Sequence, residues 1–374
     1  MRTLKSFVLT PIDEICAAIL LISSSLFMAN VTAFSPIYFL FVLFNVFLLC
    51  YFFCQGKLKT FPDLRFLFFI VFFIGIFRIL NYILFKNALK ENLLQFFSVL
   101  YLPLTLLMLD SFTEDCFIKV LKRYFLFTDL FLFADLLFRF VNRTNDFSGI
   151  LFFYNFKKNG MMFQDSNFSA FLGMINFGAK LYFKTKTKLK FFSGITFFLT
   201  FLNLSRASWI GLILSAIIYI FLKVSPKTKI KLIITGTVFT ACICLYVLNK
   251  TINDYSFLTK FEIFNATFNS VRNSNVFNLL FGYGVESSKD VLNIGFSAHN
   301  YFSRSLVETG LIGILLYFVL FIVCIFISNG YVLIILLPYL IAGLSMCPSC
   351  CPYFFAMIAC IIKFESNEWR IKCN

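Results

Sequence analysis

The sequence is short of charge, histidine and tryptophan. Only 14% of its 374 residues are charged, one is histidine and two are tryptophan, whereas 60% are apolar. Soluble domains carry about 25% charged and 45–50% apolar residues, so this composition excludes a soluble globular protein and leaves no room for a separate soluble enzyme domain. With one histidine and few carboxylates, neither a metal centre nor a Ser-His-Asp triad is expected.

Long apolar runs bounded by charge, proline or glycine fill most of the chain. A helix needs about 20 apolar residues to cross a bilayer, and the mean hydropathy is +0.87. We therefore predict an all-α, polytopic transmembrane bundle of about twelve spans. The predicted spans are 15–32, 36–54, 66–85, 92–109, 118–141, 160–182, 190–205, 207–222, 230–248, 305–327, 331–346 and 351–363.

Lysine and arginine are concentrated in every second connection between these spans. By the positive-inside rule such connections face the cytoplasm, so we predict a membrane protein with both termini cytoplasmic. The net charge of +15 then reflects loops that face anionic lipid rather than nucleic-acid binding. The basic connections are residues 57–65, 119–123, 180–190 and 223–231.

The longest hydrophilic stretch falls on the opposite, periplasmic side. The chain thus divides into residues 1–248 with nine spans, a periplasmic loop over 249–304, and residues 305–374 with three spans and a short cytoplasmic tail. Aromatic residues in the loop recur at three- and four-residue steps over 257–268, which predicts an amphipathic helix on the membrane surface.

Two arginines have no acid at helical spacing. Arg78 lies well inside the third predicted span, past its middle and toward the outer face, and Arg206 lies at the outer end of the eighth. An intramembrane arginine is costly unless it is paired or lines a wet cavity. A guanidinium holds phosphate oxygens with two parallel hydrogen bonds. The pattern therefore favours a shared site for an anionic ligand, with Arg272 of the loop as a further candidate.

Two other arginines have acids four residues away. Asp135 precedes Arg139 and Arg304 precedes Glu308 at this spacing, which permits ion pairs along one helix face. For both arginines, pairing and ligand binding remain alternative interpretations.

His299 is the only side chain here that titrates near neutral pH, and it lies just before a predicted helix. It is the candidate base for deprotonating a sugar hydroxyl; the alternative is a structural histidine. The Gly-x-Gly at 282–284 lacks a preceding strand, so a nucleotide site is not supported.

Most of the twelve cysteines lie inside apolar runs, where cysteine packs as a small hydrophobe. Cys347, Cys350 and Cys351 have CxxC spacing without a second pair, which favours packing over a zinc site. A disulfide among them remains open.

Three segments in order resemble the O-antigen polymerase and O-antigen ligase superfamily. Residues 160–170 are similar to that family's Gly-x-Phe-x-Asp-Pro-Asn segment, with Asp165 and Asn167 matching and Ser166 in the proline position. Residues 204–209 resemble its Ser-Arg-Gly-Ala/Ser-Trp helix start, with Ala207 for glycine. The third set is Gly282 and Gly284, then residues 298–300 with His299 and Asn300, then 308–313.

The resemblance implies a metal-independent, cofactor-free, inverting glycosyltransferase that uses undecaprenyl-diphosphate-linked oligosaccharide at the periplasmic face. Membrane lipid and a chain-length regulator are the other expected partners; nucleic acid is not. The resemblance implies that His299 activates the acceptor and that Arg206 holds the diphosphate. The family's loop arginine aligns with Lys260 and its tryptophan with Phe264, so Lys260 and Arg272 remain alternative phosphate contacts.

Residues 160–170 favour polymerase, which extends a lipid-linked repeat, over ligase, which transfers glycan to lipid A-core. A transporter or flippase is the rival from another class, and it predicts ionisable residues near mid-membrane and discontinuous helices in matching halves.

Overall fold

The computed structural model describes residues 11–27, 37–54, 65–110, 112–142, 156–158, 160–162, 165–187, 192–225, 255–295, 298–345 and 350–366. These residues form helices and connections, with one isolated β-bridge between Lys158 and Asp165. The helices are α1 Pro11–Leu26, α2 Ile37–Cys54, α3 Arg65–Phe85, α4 Leu89–Leu109, α5 Glu114–Val141, α6 Ser166–Lys186, α7 Ser193–Phe201, α8 Arg206–Lys223, α9 Tyr255–Asn273, α10 Val276–Phe281, α11 Ser288–Leu292, α12 Tyr301–Ile327, α13 Leu333–Gly343 and α14 Pro352–Glu365.

The predicted all-α class is confirmed for the described residues. Four helices, α3, α4, α8 and α12, are long and apolar enough to cross a membrane, while α13 and the segment Phe41–Tyr51 are shorter apolar helices. Each predicted span overlaps a described helix except 230–248, which lies outside the described residues.

The outward faces of these helices are apolar. On α3, Phe66, Phe69 and Phe73 are each more than half exposed, while Leu67 and Val71 on the other face are buried. A continuous exposed apolar face is unfavourable in water but suits contact with lipid chains. The molecule is therefore a membrane-protein bundle with a lipid-compatible exterior.

The centre of the bundle is α14. Its described side chains from Pro352 to Lys363 are all buried, and it packs against α1, α4, α6 and α12. A helix that is apolar all round is stable only inside a larger assembly, which explains why this short segment lies in the middle.

Contacts along α6, α8 and α13 define the direction of these helices. On α6, Met174 lies against Gly211 and Gly178 lies against Ser215 of α8, so α6 and α8 are parallel. Ser215 also donates a hydrogen bond to the carbonyl of Ile334, at 3.1 Å, near the start of α13.

The ring of Phe171, near the start of α6, lies 5.4 Å from that of Tyr339. Since Gly178 instead approaches Ile334, α13 is antiparallel to both α6 and α8. The last residue of α13, Gly343, contacts Tyr301 at the start of α12. The first turns of α6, α8 and α12 therefore meet at one end of the bundle, which we name the upper end.

The opposite, lower end carries ion pairs between helices that are distant in sequence. Lys363 of α14 binds Asp110 at 3.3 Å, and Lys186 of α6 binds Glu365 at 2.9 Å. Tyr182 also donates to Glu365 at 2.6 Å. This end coincides with the basic connections from which the cytoplasmic side was predicted.

Lys180 corrects one detail of that prediction. The sequence places it in the basic connection 180–190, but it lies within α6 and is only 2% exposed. Its ammonium group binds Asp129 at 2.5 Å and Thr196 at 2.6 Å, and Thr196 donates to the same carboxylate at 2.7 Å. A buried lysine is tolerated because this partner neutralises it, and that partner is 51 residues away in sequence.

Candidate functional site

The glycines at 282–284 form a close backbone joint with α12. The amides of Tyr283 and Gly284 donate to the carbonyls of Val307, at 2.8 Å, and Glu308, at 3.1 Å. These carbonyls are available because α12 leaves helical geometry at Gly310, which has φ 64° and ψ −168°. The glycine motif and the 308–313 segment are therefore two halves of one structural feature.

A side chain at either glycine would collide with the other half of this joint. A Cβ at Gly282, where φ is +79°, would meet Glu308 backbone atoms within 3.0 Å, and a Cβ at Gly310 would meet the carbonyl of Leu280. Asn81 of α3 donates to the carbonyls of Phe281 and Glu308, both at 3.3 Å. The joint thus fastens the segment after α10 to both α3 and α12.

His299 lies at the upper end, on a backbone fixed by its neighbours. Ala298 is 1% exposed and packs with Ile263 of α9 and Val307 of α12. Asn300 is buried and caps α12, where its side-chain oxygen accepts from the amides of Phe302 and Ser303 at 2.9 and 3.2 Å. The imidazole between these two anchors is exposed, so a substrate can reach it.

Asp135 and Arg139 form the ion pair that their spacing permits. The Nε of Arg139 binds Asp135 at 3.1 Å, and both side chains are fully buried. Arg139 also donates to the side-chain oxygen of Asn203, and the Asp135 carboxylate accepts from the amide of Met161 at 2.6 Å. The pair fastens the connections that precede α6 and α8 to the end of α5.

Arg206 is the first residue of α8 and is exposed at the upper end. The turn before it is closed by Trp209, whose ring stacks on Phe201 at 4.7 Å and whose indole N–H donates to the Phe201 carbonyl at 2.9 Å. The hydroxyl of Ser166 donates to the carbonyl of Asn203 at 3.0 Å. Serine in the family's proline position thus links α6 to this turn.

An arginine on the first turn of a helix adds its charge to the positive end of the helix dipole. Nearby, Lys157 is desolvated by burial, which lowers its pKa; the positive charge of Arg206 lowers it further, whereas Asp165 raises it. Lys157, Asp165 and Arg206 therefore share one electrostatic neighbourhood.

Asp165 and Asn167 have a clear local role. Asp165 caps α6 and accepts from the amide of Asn167 at 2.9 Å and from its side-chain amide at 3.2 Å. Capping by aspartate satisfies an amide that the first turn leaves unbonded. This explains the Asp-x-Asn spacing without requiring either residue to touch a substrate.

Arg78 lines a pocket between α3, α4, α12, α13 and α14. It is 6% exposed. One terminal nitrogen donates to the hydroxyl of Tyr317 at 3.3 Å. Its Nε and other terminal nitrogen are buried without a hydrogen-bond partner among the described residues. Arg206 is not among the residues that line this pocket, so a site shared by the two arginines stays a prediction.

Arg304 and Glu308 also line this pocket, and they form the second predicted ion pair, with an N–O distance of 2.7 Å. The carboxylate of Glu308 is 3% exposed and the guanidinium of Arg304 is 19% exposed. Both predicted i,i+4 pairs are thus confirmed.

Lys260 and Arg272 both lie on α9, whose predicted helix is confirmed over Tyr255–Asn273. They are separated by twelve residues, which is about 18 Å along the axis and about 120° around it. Lys260 is half-buried, whereas Arg272 is exposed on the side of Phe264 and Phe268. The two alternatives for the loop phosphate contact thus lie at different places on one helix.

Sequence reasoning missed the residues that support the site from a distance. Tyr317 meets Arg78, Asn203 meets Arg139, and Asn81 meets the glycine joint. The only signal in the sequence was the presence of an asparagine or tyrosine within an apolar run, which predicts a buried polar contact but not its partner.

The cysteine cluster is described only in part, because Cys347 lies outside the described residues. Cys350 is buried, and its thiol donates to the carbonyl of Leu94 at 3.1 Å. The thiol of Cys351, also buried, donates to the hydroxyl of Tyr353 at 3.5 Å. In the part of the chain that the structure describes, no group of three or more His, Cys, Asp or Glu side chains is placed to hold a metal ion.

Comparison with known proteins finds neither a protein family whose model matches this sequence nor a curated protein with significant similarity to it.

Proposed function

We propose that this chain is a bacterial inner-membrane O-antigen polymerase that joins undecaprenyl-diphosphate-linked oligosaccharide repeats at the periplasmic face. The bundle would have about twelve spans, its upper end would face the periplasm, and residues 249–304 would form the large periplasmic loop. The observation that most supports this is the position of Arg206 and His299 at the same end of the bundle, because the proposed chemistry needs both in one outward-facing site.

In the proposed reaction, His299 takes the proton from an acceptor sugar hydroxyl as its oxygen attacks the anomeric carbon of the donor. The bond from that carbon to the diphosphate breaks, and its electron pair leaves with undecaprenyl diphosphate. Attack opposite the leaving group inverts the anomeric configuration. His299 then returns its proton to the leaving diphosphate or to water.

Arg206 would stabilise the negative charge that develops on the leaving diphosphate. Its place on the first turn of α8 adds the helix dipole to its own charge. Lys260 or Arg272 of α9 would supply the second contact. Arg139 does not take this role, because Asp135 and Asn203 already occupy it.

The decisive experiment uses purified protein and lipid-linked oligosaccharide, and measures longer glycan together with released undecaprenyl diphosphate. We expect the His299→Ala and Arg206→Gln variants to insert normally into the membrane but to produce neither longer glycan nor released undecaprenyl diphosphate. A matched control is Arg123→Gln, which changes an exposed arginine at the lower end and should leave extension at the wild-type rate. Wild-type ladders from His299→Ala would remove the proposed base.

The acceptor separates polymerase from ligase. A deletion strain whose lipid A-core carries a single repeat supports polymerase, whereas one whose core carries no glycan repeat supports ligase. The preference for polymerase rests on the resemblance of residues 160–170.

A transporter is the second candidate, supported by one buried ion pair and one discontinuous helix. Lys180 and Asp129 form a buried ion pair within the bundle, and α12 is interrupted at Gly310. Proteoliposomes that move lipid-linked oligosaccharide across the bilayer without lengthening it would favour this candidate over the polymerase.

A further inference from the structure

The pocket around Arg78 contains an uncompensated positive charge. We call it the Arg78 pocket and define it by Arg78, Gln95, Ser98, Arg304, Glu308 and Tyr317, with aromatic rings completing its wall. Arg304, which is partly exposed, lies on the side nearest solvent, whereas Arg78 and Gln95 are 6% and 7% exposed. The pocket thus runs from a partly open mouth to a buried arginine.

Two nitrogens of Arg78 need an acceptor that the described residues do not provide. Among the described residues, the guanidinium of Arg78 donates a hydrogen bond only to the Tyr317 hydroxyl. The central carbon of the guanidinium lies 5.7 Å from the centre of the Tyr317 ring. The buried Nε and second terminal nitrogen remain without a partner among the described residues. A buried charge is stable only when it is paired, so an anion from outside the chain is the expected partner.

The net charge of the residues that line the pocket is matched by one negative charge. Arg304 and Glu308 neutralise each other through their 2.7 Å contact, which leaves Arg78 as the net charge of the lining. A diphosphate carries at least two negative charges and would leave one unmatched. A carboxylate carries one, and its two oxygens match the planar fork of a guanidinium.

The size of the pocket is compatible with such a group. Its volume is about 20 Å³, which is space for one or two water molecules. A charged group that replaces these waters would reach Arg78 while the molecule that bears it remains at the mouth.

We propose that the Arg78 pocket binds the carboxylate of an acidic sugar in the glycan, and so recognises repeat units that carry a uronic acid. The proposal rests on the proposed function, since it places glycan at the upper end. It assigns Arg78 to sugar recognition and leaves the diphosphate to Arg206 and α9. A sugar phosphate also offers oxyanion oxygens to a guanidinium, although with a charge of about −1.5 to −2 at neutral pH, and the test separates the two.

The test measures binding of methyl β-glucuronide, methyl β-glucoside and glycerol phosphate to purified wild-type protein in detergent by saturation-transfer NMR and titration calorimetry. We expect glucuronide to bind at least about tenfold more tightly than either of the other two. Equal binding of glucoside, tighter binding of glycerol phosphate, or no glucuronide binding would each overturn the proposal.

Variants then assign the binding to Arg78. Arg78→Gln should weaken glucuronide binding by at least about tenfold, Arg78→Lys should weaken it less, and Arg123→Gln should bind as wild type. Undiminished binding by folded Arg78→Gln overturns the assignment. If Arg78→Gln does not fold, Arg78→Lys tests the assignment instead. This variant keeps the positive charge but loses the planar guanidinium, so it should still bind glucuronide measurably more weakly than wild type.

Turnover distinguishes this proposal from the proposed function. Extension of a neutral lipid-linked repeat by wild-type protein, together with absent glucuronide binding, would refute the Arg78 pocket while retaining the polymerase. Glucuronide binding with no glycan extension from either an acidic or a neutral repeat would retain the pocket while refuting the polymerase.

Discussion

At the residue scale, the arginines of the upper end differ in whether an acidic side chain neutralises them. Arg139 and Arg304 have acids one helical turn away, whereas Arg78 keeps two buried nitrogens without a partner among the described residues. A paired arginine contributes to structure, because its charge is neutralised within the chain. The unpaired one is therefore the stronger indication of a ligand.

The buried pair of Lys180 and Asp129 gives a prediction at this scale. Lys180→Met leaves the largely buried carboxylate of Asp129 with Thr196 as its hydrogen-bond donor, and breaking such a pair costs about 3–5 kcal/mol. We expect a clearly lower thermal unfolding midpoint in detergent. The double variant Lys180→Met/Asp129→Leu removes both charges and should recover most of the loss. A single variant as stable as wild type would show that the pair is dispensable.

At the element scale, the interruption of α12 is the main feature that positions the site. Gly310 breaks the helix at a point where Gly282 and Gly284 can approach its backbone. This contact places the segment before α11 against α12 and close to α3. The position of His299 at the head of α12 depends on the same helix.

Gly310→Ala tests this joint. The φ of +64° with ψ near 180° is almost exclusive to glycine, so strain alone should cost about 1–3 kcal/mol, and collision with the Leu280 carbonyl adds to this. We expect a lower unfolding midpoint and lost activity.

The matched control is Gly194→Ala in α7, where an added Cβ meets nothing within 4 Å. A helical glycine replaced by alanine should gain up to about 1 kcal/mol. Equal effects of the two substitutions would show that the joint is not constrained as described.

The exposed face of α9 gives a second prediction for an element. Phe261, Phe264 and Phe268 are each more than half exposed, while Ile263 and Thr267 pack inward. If this face lies in the membrane interface, Phe264→Trp should be quenched by brominated lipid in liposomes. Glu262→Trp, which lies on another side of the helix, is the control and should be quenched less. Equal quenching of the two would place α9 away from the interface.

At the scale of the whole molecule, the two ends differ in charge chemistry. The lower end joins helices through Lys363–Asp110 and Lys186–Glu365, whereas the upper end gathers Arg206, His299 and the Arg78 pocket. The two ends of the bundle therefore differ chemically, and the orientation stays a prediction.

Reporter fusions test which end faces the cytoplasm. Green fluorescent protein at the C-terminus should fluoresce, because it folds in the cytoplasm, and alkaline phosphatase inserted after Gly295 should be active, because it matures in the periplasm. Reversed signals from this pair would invert the orientation and place His299 away from the proposed substrate.

Much of the fold was predictable from the sequence because it depends on local properties. Apolar run length predicted the helices, the three- and four-residue steps of phenylalanine predicted α9, and i,i+4 spacing predicted the pairs of Arg139 and Arg304. Each of these is decided by residues within one or two helical turns of each other.

Less of the candidate site was predictable. Lys180 looked like a loop residue because lysine usually borders a span, but its ion pair with Asp129 made burial possible. Arg78 and Arg206 were grouped because neither has an acid at helical spacing, and the sequence did not predict that Arg78 would line a pocket between helices far apart in the chain. Such outcomes depend on which helices are neighbours, and hydropathy does not contain that information.

The sequence by itself determined that the chain is helical and that it suits a membrane, since these follow from composition and local periodicity. Only the tertiary structure decided that the starts of α6, α8 and α12 converge and that α12 opens at Gly310 to receive the 282–284 backbone. The physical reason is that these contacts join residues tens to more than a hundred positions apart, and close packing of side chains selects them.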